Sequence, residues 1–270
     1  MTQKQISQDI DLDTGLKLVA QAFTELASIK LQRIRHRIER NRIFFDEISE
    51  VFGAVAQLAD KKGIVPKLEK KGTVALILTS NSKFYGGLER RLLRFYQDSL
   101  ANYPAERVLI GHSAANFFQR KGIILHQDLP SDSELKQISD LISRYSKVLV
   151  FYPRFQSILL QKPYVVDLTH SGLLSKPAKV TIDYILEPEL TKMWQFFDGQ
   201  IQKLLLEQTF LEAELARTAA RLTSMDQAQE SADKALSTLR KTLAAAKRSL
   251  NNRKILDTES SIFRFRRRES

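Results

Sequence analysis

The sequence contains no cysteine and only four histidines among its 270 residues. The absence of cysteine excludes disulfide bonds, thiolate zinc sites, iron–sulfur clusters and a cysteine nucleophile. No two histidines lie three or four residues apart, which is the spacing of a helical metal site. We therefore expect no metal site, no cofactor and no thiol switch.

Long apolar runs are also missing. The longest purely aliphatic run is Val74 to Leu78, whereas a membrane-spanning helix needs about 20 apolar residues. The first residues, MTQKQISQDIDLD, are polar and acidic, unlike a signal peptide. We expect a cytoplasmic chain without a signal peptide or a transmembrane segment, which would be compatible with attachment to a membrane complex.

Proline is absent before Pro66 and after Pro188. In both terminal regions apolar residues recur at alternating intervals of three and four, from Leu16 to Ala59 and from Leu211 to Leu250. Sustained spacing of this kind is typical of coiled coils. We predict one helix from about residue 16 to 60 and another from about residue 189 to beyond 255, which pair in antiparallel orientation.

The middle of the chain has the pattern of an α/β domain. Three apolar runs, Thr73–Thr79, Arg107–Ile110 and Lys147–Tyr152, predict buried strands, and helical segments separate them. Alternation of strands and helices implies a small parallel sheet. A short strand at Ile123–Leu125 and further, antiparallel strands within 155–167 and 180–186 complete the prediction.

Together these patterns predict an α/β fold in which long N- and C-terminal helices form an antiparallel coiled coil around a small, Rossmann-like central α/β domain. We place the N-terminal coiled-coil helix at residues 1–66, the central domain at 67–188, and the C-terminal helix with its basic tail at 189–270.

Two short motifs suggest chemistry, but each has a simpler interpretation. Gly86 and Gly87 lie between a strand and a helix, where a phosphate can bind. Since no P-loop or dinucleotide motif is present, we expect a tight strand-to-helix turn instead. Gly111 to Ala115 resembles a nucleophile elbow around Ser113. Since no base and acid pair is evident for it, we expect Ser113 to cap the following helix.

The net charge of +11 indicates an acidic partner, and the positive charge is concentrated in two stretches. Residues 30–42 contribute +5 and residues 240–270 contribute +7. One interpretation is a pair of solvated helix faces. The other is that both stretches lie along one helical hairpin and form a cationic rod.

Five collinear segments resemble the gamma subunit, the central stalk, of F-type ATP synthases. They are LASIKLQR (26–33), LTSNSKFYGGL (78–88), RVLIGHSAANFFQRKG (107–122), YSKVLVFYPRFQSILLQKP (145–163) together with DYILEPEL (183–190), and TAARLTSMDQAQESA (218–232). The resemblance covers almost the whole chain in the correct order.

The resemblance implies a non-catalytic rotor that stands inside a hexameric ring of alpha and beta subunits and couples ion flow through the membrane c-ring to ATP synthesis or hydrolysis. It also implies contact with the epsilon subunit and a location at the cytoplasmic face of the bacterial cell membrane. The shaft residues implied to face the catalytic ring are Lys30, Arg33, Arg35, Arg248, Arg253 and Lys254. Tyr184 and Glu187 are implied to lie at the foot, near the c-ring and epsilon.

The chain departs from the family pattern at several positions. Arg217 and Thr218 stand where the family commonly has Glu-His, and Arg253 and Lys254 stand where it has Gln-Glu. Two alternatives remain open. One is a basic coiled-coil protein that binds nucleic acid through its rod and tail, and the other is an esterase that uses Ser113.

Overall fold

The computed structural model describes residues 2–61, 71–101, 103–169 and 190–266. Within these ranges it contains five helices and four strands. In chain order they are α1 (Gln3–Lys61), β1 (Lys71–Leu78), α2 (Leu88–Ser99), β2 (Glu106–Ile110), α3 (His112–Phe118), α4 (Asp132–Ile142), β3 (Tyr145–Phe155), β4 (Gln161–Asp167) and α5 (Leu190–Arg266).

Two very long helices dominate the element order, as predicted. Helix α1 has 59 residues and α5 has 77. Helix α1 begins at Gln3 rather than near Leu16, because Thr2 and Gln5 form a reciprocal capping box: the Thr2 hydroxyl accepts from the Gln5 amide, and the Gln5 side chain accepts from the Thr2 amide. None of the helices in the described ranges has a stretch both long and apolar enough to cross a bilayer.

The chain forms two compact units. The first comprises Met1–Leu26 and Ser224–Ser270. In it, Ile6, Met225 and Leu236 are buried, and Lys17 Nζ lies 2.6 Å from Asp233 Oδ1, which links α1 to α5. Every side chain from residue 247 to 260 is exposed.

The apolar stripe of α1 differs in part from the predicted one. Leu16 was expected on the buried seam but is 57% exposed, whereas Ala20 and Ala27 are buried. The buried residues Ala20, Ala27 and Ile34 lie seven residues apart, and Ile6 lies fourteen residues before Ala20. The alternating spacing of three and four residues alone could not show which of two neighbouring sets of apolar residues on α1 is buried.

The second unit, Ala27–Thr223, contains the sheet. Its strand order is β2-β1-β3-β4. Strand β1 pairs in parallel with β2 and with β3, while β4 adds in antiparallel orientation to β3. The predicted parallel sheet with an antiparallel addition is therefore confirmed.

Helices cover both faces of the sheet. On one face, Leu76 and Leu78 of β1 pack with residues of α4 and with Leu206 and Phe210 of α5. On the other, Ile77 packs with Tyr96 of α2 and with residues of α3. Near α5, Leu31 and Ile34 of α1 form a further cluster that is completed by Leu211, Leu215 and Ala219.

One local prediction was wrong, and another was right only in part. Residues 123–125 do not form a strand: Ile123 makes one isolated parallel bridge to Ile110. The range 155–167 is not one continuous strand, because hydrogen bonds between Ser157 and Leu160 close a turn between β3 and β4. The predicted strand at 180–186 lies outside the described residues.

Candidate functional site

Five charged side chains gather in the second unit near the carboxyl end of β1. They come from α1, α2, α5 and the segment before α4, and we call them the charge cluster. Its members are Lys30, Glu89, Asp128, Glu214 and Arg217.

Lys30 joins three segments of the second unit. Its ammonium lies 2.7 Å from Asp128 Oδ2 and 2.7 Å from Glu214 Oε1. Burial alone would lower the pKa of Lys30, but the Glu214 and Asp128 carboxylates outweigh burial and leave that pKa raised. Conversely, burial opposes ionisation of Asp128, yet the Lys30 ammonium lowers its pKa. Helix α1 is thereby ion-paired both to α5 and to the segment before α4.

Arg217 lies on α5, one turn from Glu214, and its side chain is only 1% exposed. Its Nε donates to Glu214 Oε2 at 3.0 Å, and its Nη1 donates to the carbonyl oxygen of Leu78, the last residue of β1, at 3.4 Å. Burial would lower the pKa of Arg217, but Glu214 and Glu89 outweigh it. This guanidinium therefore ties α5 to the end of the central strand.

Glu89 lies in the first turn of α2. Both of its carboxylate oxygens are buried and lack a hydrogen-bond partner of good geometry among the described residues, although the backbone of Ser80 lies near enough to lower the pKa of the group. Burial raises the pKa of this carboxyl group, and the nearby positive charge of Arg217 offsets part of the increase. Glu89 is thus the least compensated member of the charge cluster.

The loop after β1 connects the cluster to β2. The Thr79 hydroxyl donates to the Ile110 carbonyl and accepts from the Ala114 amide. Asn81 Oδ1 accepts from the His112 amide. Two side chains of this loop therefore satisfy the first amides of α3.

The prediction that Ser113 caps α3 was wrong. The residue before α3 is Gly111, at φ +96°, and the Ser113 hydroxyl donates to the Ser80 carbonyl at 3.1 Å. A side chain at Gly111 would meet the backbone of Thr79. The close approach of the two loops explains why glycine stands there.

Gly86 and Gly87 form a tight turn, in agreement with the simpler interpretation. Phe84 and Gly86 have φ values of 72° and 57°, and Gly87 immediately precedes α2. The Tyr85 hydroxyl lies 2.9 Å from Ser80 Oγ and accepts from Arg221 Nη2 at 2.6 Å. The turn is therefore anchored to α5, and the first turn of α2 carries an acid, Glu89, which disfavours a phosphate.

Of the six residues implied to face a catalytic ring, the structure brings only Lys30 into the charge cluster. Arg33 is exposed, and the Arg35 guanidinium lies 5.9 Å from the centroid of the Phe155 ring. The other three are exposed on α5 in the first unit: Arg248, Arg253 and Lys254. Contact of all six with a ring stays a prediction. Tyr184 and Glu187 lie outside the described residues.

Sequence reasoning missed the acidic members of the cluster. Asp128, Glu214 and Glu89 come from three distant segments, so no local spacing joins them. The available signal was Arg217, which follows Glu214 by three residues on α5 and departs from the family pattern.

The arrangement holds elements of the fold together. Lys30 pairs with Asp128 and Glu214, and Arg217 donates to Glu214 and to the Leu78 carbonyl. In the part of the chain that the structure describes, no three acidic or histidine side chains are grouped as a metal site would require. The Ser113 hydroxyl donates to a backbone carbonyl, which is not a general base.

Comparison with known proteins gives a consistent result. A family model described as ATP synthase matches residues 2–249. The ATP synthase gamma chain of Moorella thermoacetica is 24% identical, over 79% of this chain and 81% of its own length. That of Synechococcus sp. is 23% identical, over 94% of this chain and 96% of its own length.

Solved structures agree at the level of the fold. A chain in the Tetrahymena thermophila mitochondrial ATP synthase structure of the central stalk and c-ring has a TM-score of 0.58 at 17% identity, covering 78% of this chain and 99% of that one. A chain in a Euglena gracilis mitochondrial ATP synthase structure has a TM-score of 0.54 at 15% identity, covering 87% of this chain and 94% of that one.

Proposed function

This chain belongs to the ATP synthase family as a gamma-type, central-stalk subunit of the F-type enzyme, and we propose that it works there as a rotor without an active site of its own. Its rotation would couple ion flow through the membrane sector to the conformational cycle of the catalytic hexamer. The observation that carries this proposal is the match over residues 2–249, which includes both long helices and the sheet.

The charge cluster supports a mechanical role within the second unit. A rotor must pass torque between its α/β domain and its helices without slippage. Lys30 pairs with Glu214 across α1 and α5 and with Asp128 beside the sheet, while Arg217 binds the end of β1. Buried charge pairs tolerate little displacement, because a separated partner would remain desolvated and unpaired. The cluster would therefore transmit torque between the helices and the domain.

The partners we propose are the alpha and beta subunits around the shaft, and the epsilon subunit and c-ring at the foot. Exposed cations such as Arg33, Arg248 and Arg253 would face acidic loops of the ring. Exposed ion pairs contribute only about 0–1 kcal/mol each, so many weak contacts would steer the shaft without stalling it. Tyr184 and Glu187 are proposed foot contacts by resemblance alone.

We further propose that the chain is a peripheral component at the cytoplasmic face of the bacterial membrane, held there through the c-ring. The esterase alternative is disfavoured because the Ser113 hydroxyl is occupied by the Ser80 carbonyl. A nucleic-acid-binding function would leave the α/β domain without a role, whereas a rotor function accounts for both the long helices and the α/β domain.

Co-assembly tests the proposal. The chain would be co-expressed with the alpha and beta subunits of its own organism, and the purified complex would be assayed for ATP hydrolysis. We expect one copy of the chain per hexamer and hydrolysis that depends on its presence. Failure to co-purify, combined with salt-sensitive binding to DNA or RNA in a gel-shift series, would favour the nucleic-acid alternative instead.

A further inference from the structure

A groove separates α1 and α5 in the second unit, away from the charge cluster. Its volume is about 350 Å³. Arg37, Arg40 and Phe44 line it from α1, and Lys203, Leu204 and Glu207 line it from α5. Arg37, Arg40 and Phe44 are spaced by three and four residues, so their side chains project from one face of the helix.

The groove carries more positive charge than its own acids neutralise. Among the described residues that line it, Glu207 is the only carboxylate, and it pairs with Arg37 Nη2 at 3.3 Å. Arg40 and Lys203 have no carboxylate within ion-pair distance among the described residues. Arg40 from α1 and Lys203 from α5 thus line the same groove without an ion-pair partner among the described residues, which raises the local affinity for anions.

The walls of the groove are fixed before any ligand binds. Asn41 Nδ2 donates to Gln208 Oε1 at 3.1 Å and to the Leu204 carbonyl at 3.5 Å, which bridges α1 to α5. Leu204, only 7% exposed, forms part of the floor. An anion would therefore meet a preformed site and would not have to order it.

One end of the groove is apolar. Phe44, which lines this end, is 50% exposed. Half-exposed large apolar residues beside a cationic pocket favour a ligand that has both an anionic and an apolar part. Arg40 lies one helical turn from Phe44, a separation that suits the two parts of one small molecule.

From this juxtaposition we propose that the groove between α1 and α5 binds a phosphate group carried by an amphiphilic molecule. Arg37, Arg40 and Lys203 would hold the phosphate, and Phe44 would contact the apolar part. Guanidinium groups bind phosphate oxygens in bidentate geometry, and Lys203 adds a point charge. The phosphate could belong to an acidic phospholipid of the adjacent membrane or to a soluble phosphate ester, and the test separates these sources.

The test uses the purified full-length chain and two probes, and it requires no partner subunit. Inorganic pyrophosphate would be titrated by calorimetry, and flotation would be measured with vesicles of phosphatidylcholine with or without phosphatidylglycerol. The groove variant is Arg40→Gln with Lys203→Gln. The matched control is Arg42→Gln with Arg90→Gln, which removes the same charge from exposed positions outside the groove.

We expect the wild type to bind pyrophosphate, the groove variant to bind about tenfold or more weakly, and the control to stay within about twofold of the wild type. Flotation with acidic vesicles that is lost in the groove variant and in Phe44→Ala would identify a lipid headgroup as the source. Pyrophosphate binding without groove-dependent flotation would identify a soluble phosphate ester.

No binding of either probe, or equal losses in the groove and control variants, would overturn the proposal. Binding of an acidic peptide through the same residues without pyrophosphate binding would also overturn it. Thermal unfolding of each variant verifies its fold, and the single variant Lys203→Gln provides the same comparison if the double variant is unstable. Because no ring subunit is present, failure here leaves the rotor proposal intact.

Discussion

The carboxylate of Glu214 is shared between two cations: Oε1 lies 2.7 Å from Lys30 Nζ, and Oε2 accepts from Arg217 Nε at 3.0 Å. Lys30 belongs to α1, whereas Glu214 and Arg217 belong to α5. The Glu214 side chain is 1% exposed, so its charge depends on these partners for compensation. This one carboxylate couples the pairing of the long helices to the attachment of α5 to the sheet.

Replacing Lys30 by Met should destabilise the chain. The substitution keeps the length of the side chain but leaves the buried Glu214 and the half-buried Asp128 without their shared cation. Because Lys30 is partly exposed, we expect a loss of about 2 kcal/mol in the free energy of unfolding, below the usual cost of breaking a fully buried pair. Urea unfolding monitored by circular dichroism measures it.

Arg33→Met is the matched control, since Arg33 is exposed three residues further along α1. It should change stability by less than about 0.5 kcal/mol. Adding Glu214→Gln to Lys30→Met should cost less than the two single losses combined, because the partners interact directly. Strict additivity would contradict the described coupling.

Replacing Glu89 by Gln should stabilise the chain at neutral pH. Burial raises the pKa of Glu89 above its ordinary value of 4.5, so the folded chain holds this proton more tightly than the unfolded chain does. The free energy of unfolding therefore falls as the pH rises from about 4.5 through the folded pKa. Glutamine does not ionise, so the variant avoids this decrease in the free energy of unfolding. The difference in that free energy between the variant and the wild type should therefore grow between pH 4.5 and pH 7.

Thermal unfolding of wild type and Glu89→Gln across this pH range provides the measurement. Glu47→Gln, at an exposed position of α1, serves as the control and should show a constant offset. A Glu89→Gln variant that loses stability relative to wild type as the pH rises would mean that the ionised Glu89 is well compensated by Arg217.

Gly111→Ala and Gly15→Ala should have opposite effects. Gly111 has φ +96°, and a Cβ there would meet the backbone of Thr79, so alanine should destabilise by about 2 kcal/mol or more. Gly15 lies within α1 with nothing within 4 Å of the added carbon. Alanine there should stabilise by about 0.5–1 kcal/mol. Equal effects in a chemical unfolding assay would refute the described backbone.

Helix and strand periodicity predicted much of this fold. The absence of proline and the three-four spacing identified α1 and α5, and continuous apolar runs identified β1 and β3. The turn at Ser157–Leu160 was missed because its residues, Ser-Ile-Leu-Leu, lack the glycine, proline or asparagine that usually marks a turn. Leu16 was misplaced because two neighbouring sets of apolar residues on α1 have the same three-four spacing.

The candidate site was less predictable. A charge run indicates a basic surface, but whether a given cation faces solvent or an internal acid depends on tertiary contacts. Lys30 belongs to the basic run yet pairs with Asp128, 98 residues away. Similarly, the role of Ser113 depended on the approach of Thr79 and Asn81, which supply the helix cap from another loop.

Neutralising the exposed cations at the end of α5 should weaken assembly without affecting folding. The variant Arg248→Gln, Arg253→Gln, Lys254→Gln removes three charges that no described carboxylate neutralises. We expect a slower association with the alpha–beta hexamer and a smaller dependence of its rate on salt. Stopped-flow mixing measures both, and Arg42→Gln, Arg90→Gln, Arg94→Gln is the control of equal charge. Identical rates for the two triple variants would show that these three residues do not contact the ring.

Direct observation of rotation tests the central claim. The hexamer assembled with this chain would be fixed to a surface, and a bead would be attached to the chain through a cysteine introduced at Ser133, in the first turn of α4, since the natural sequence has none. We expect unidirectional, ATP-dependent rotation of the bead in three steps per turn. A bead that stays fixed while the same complexes hydrolyse ATP would contradict it.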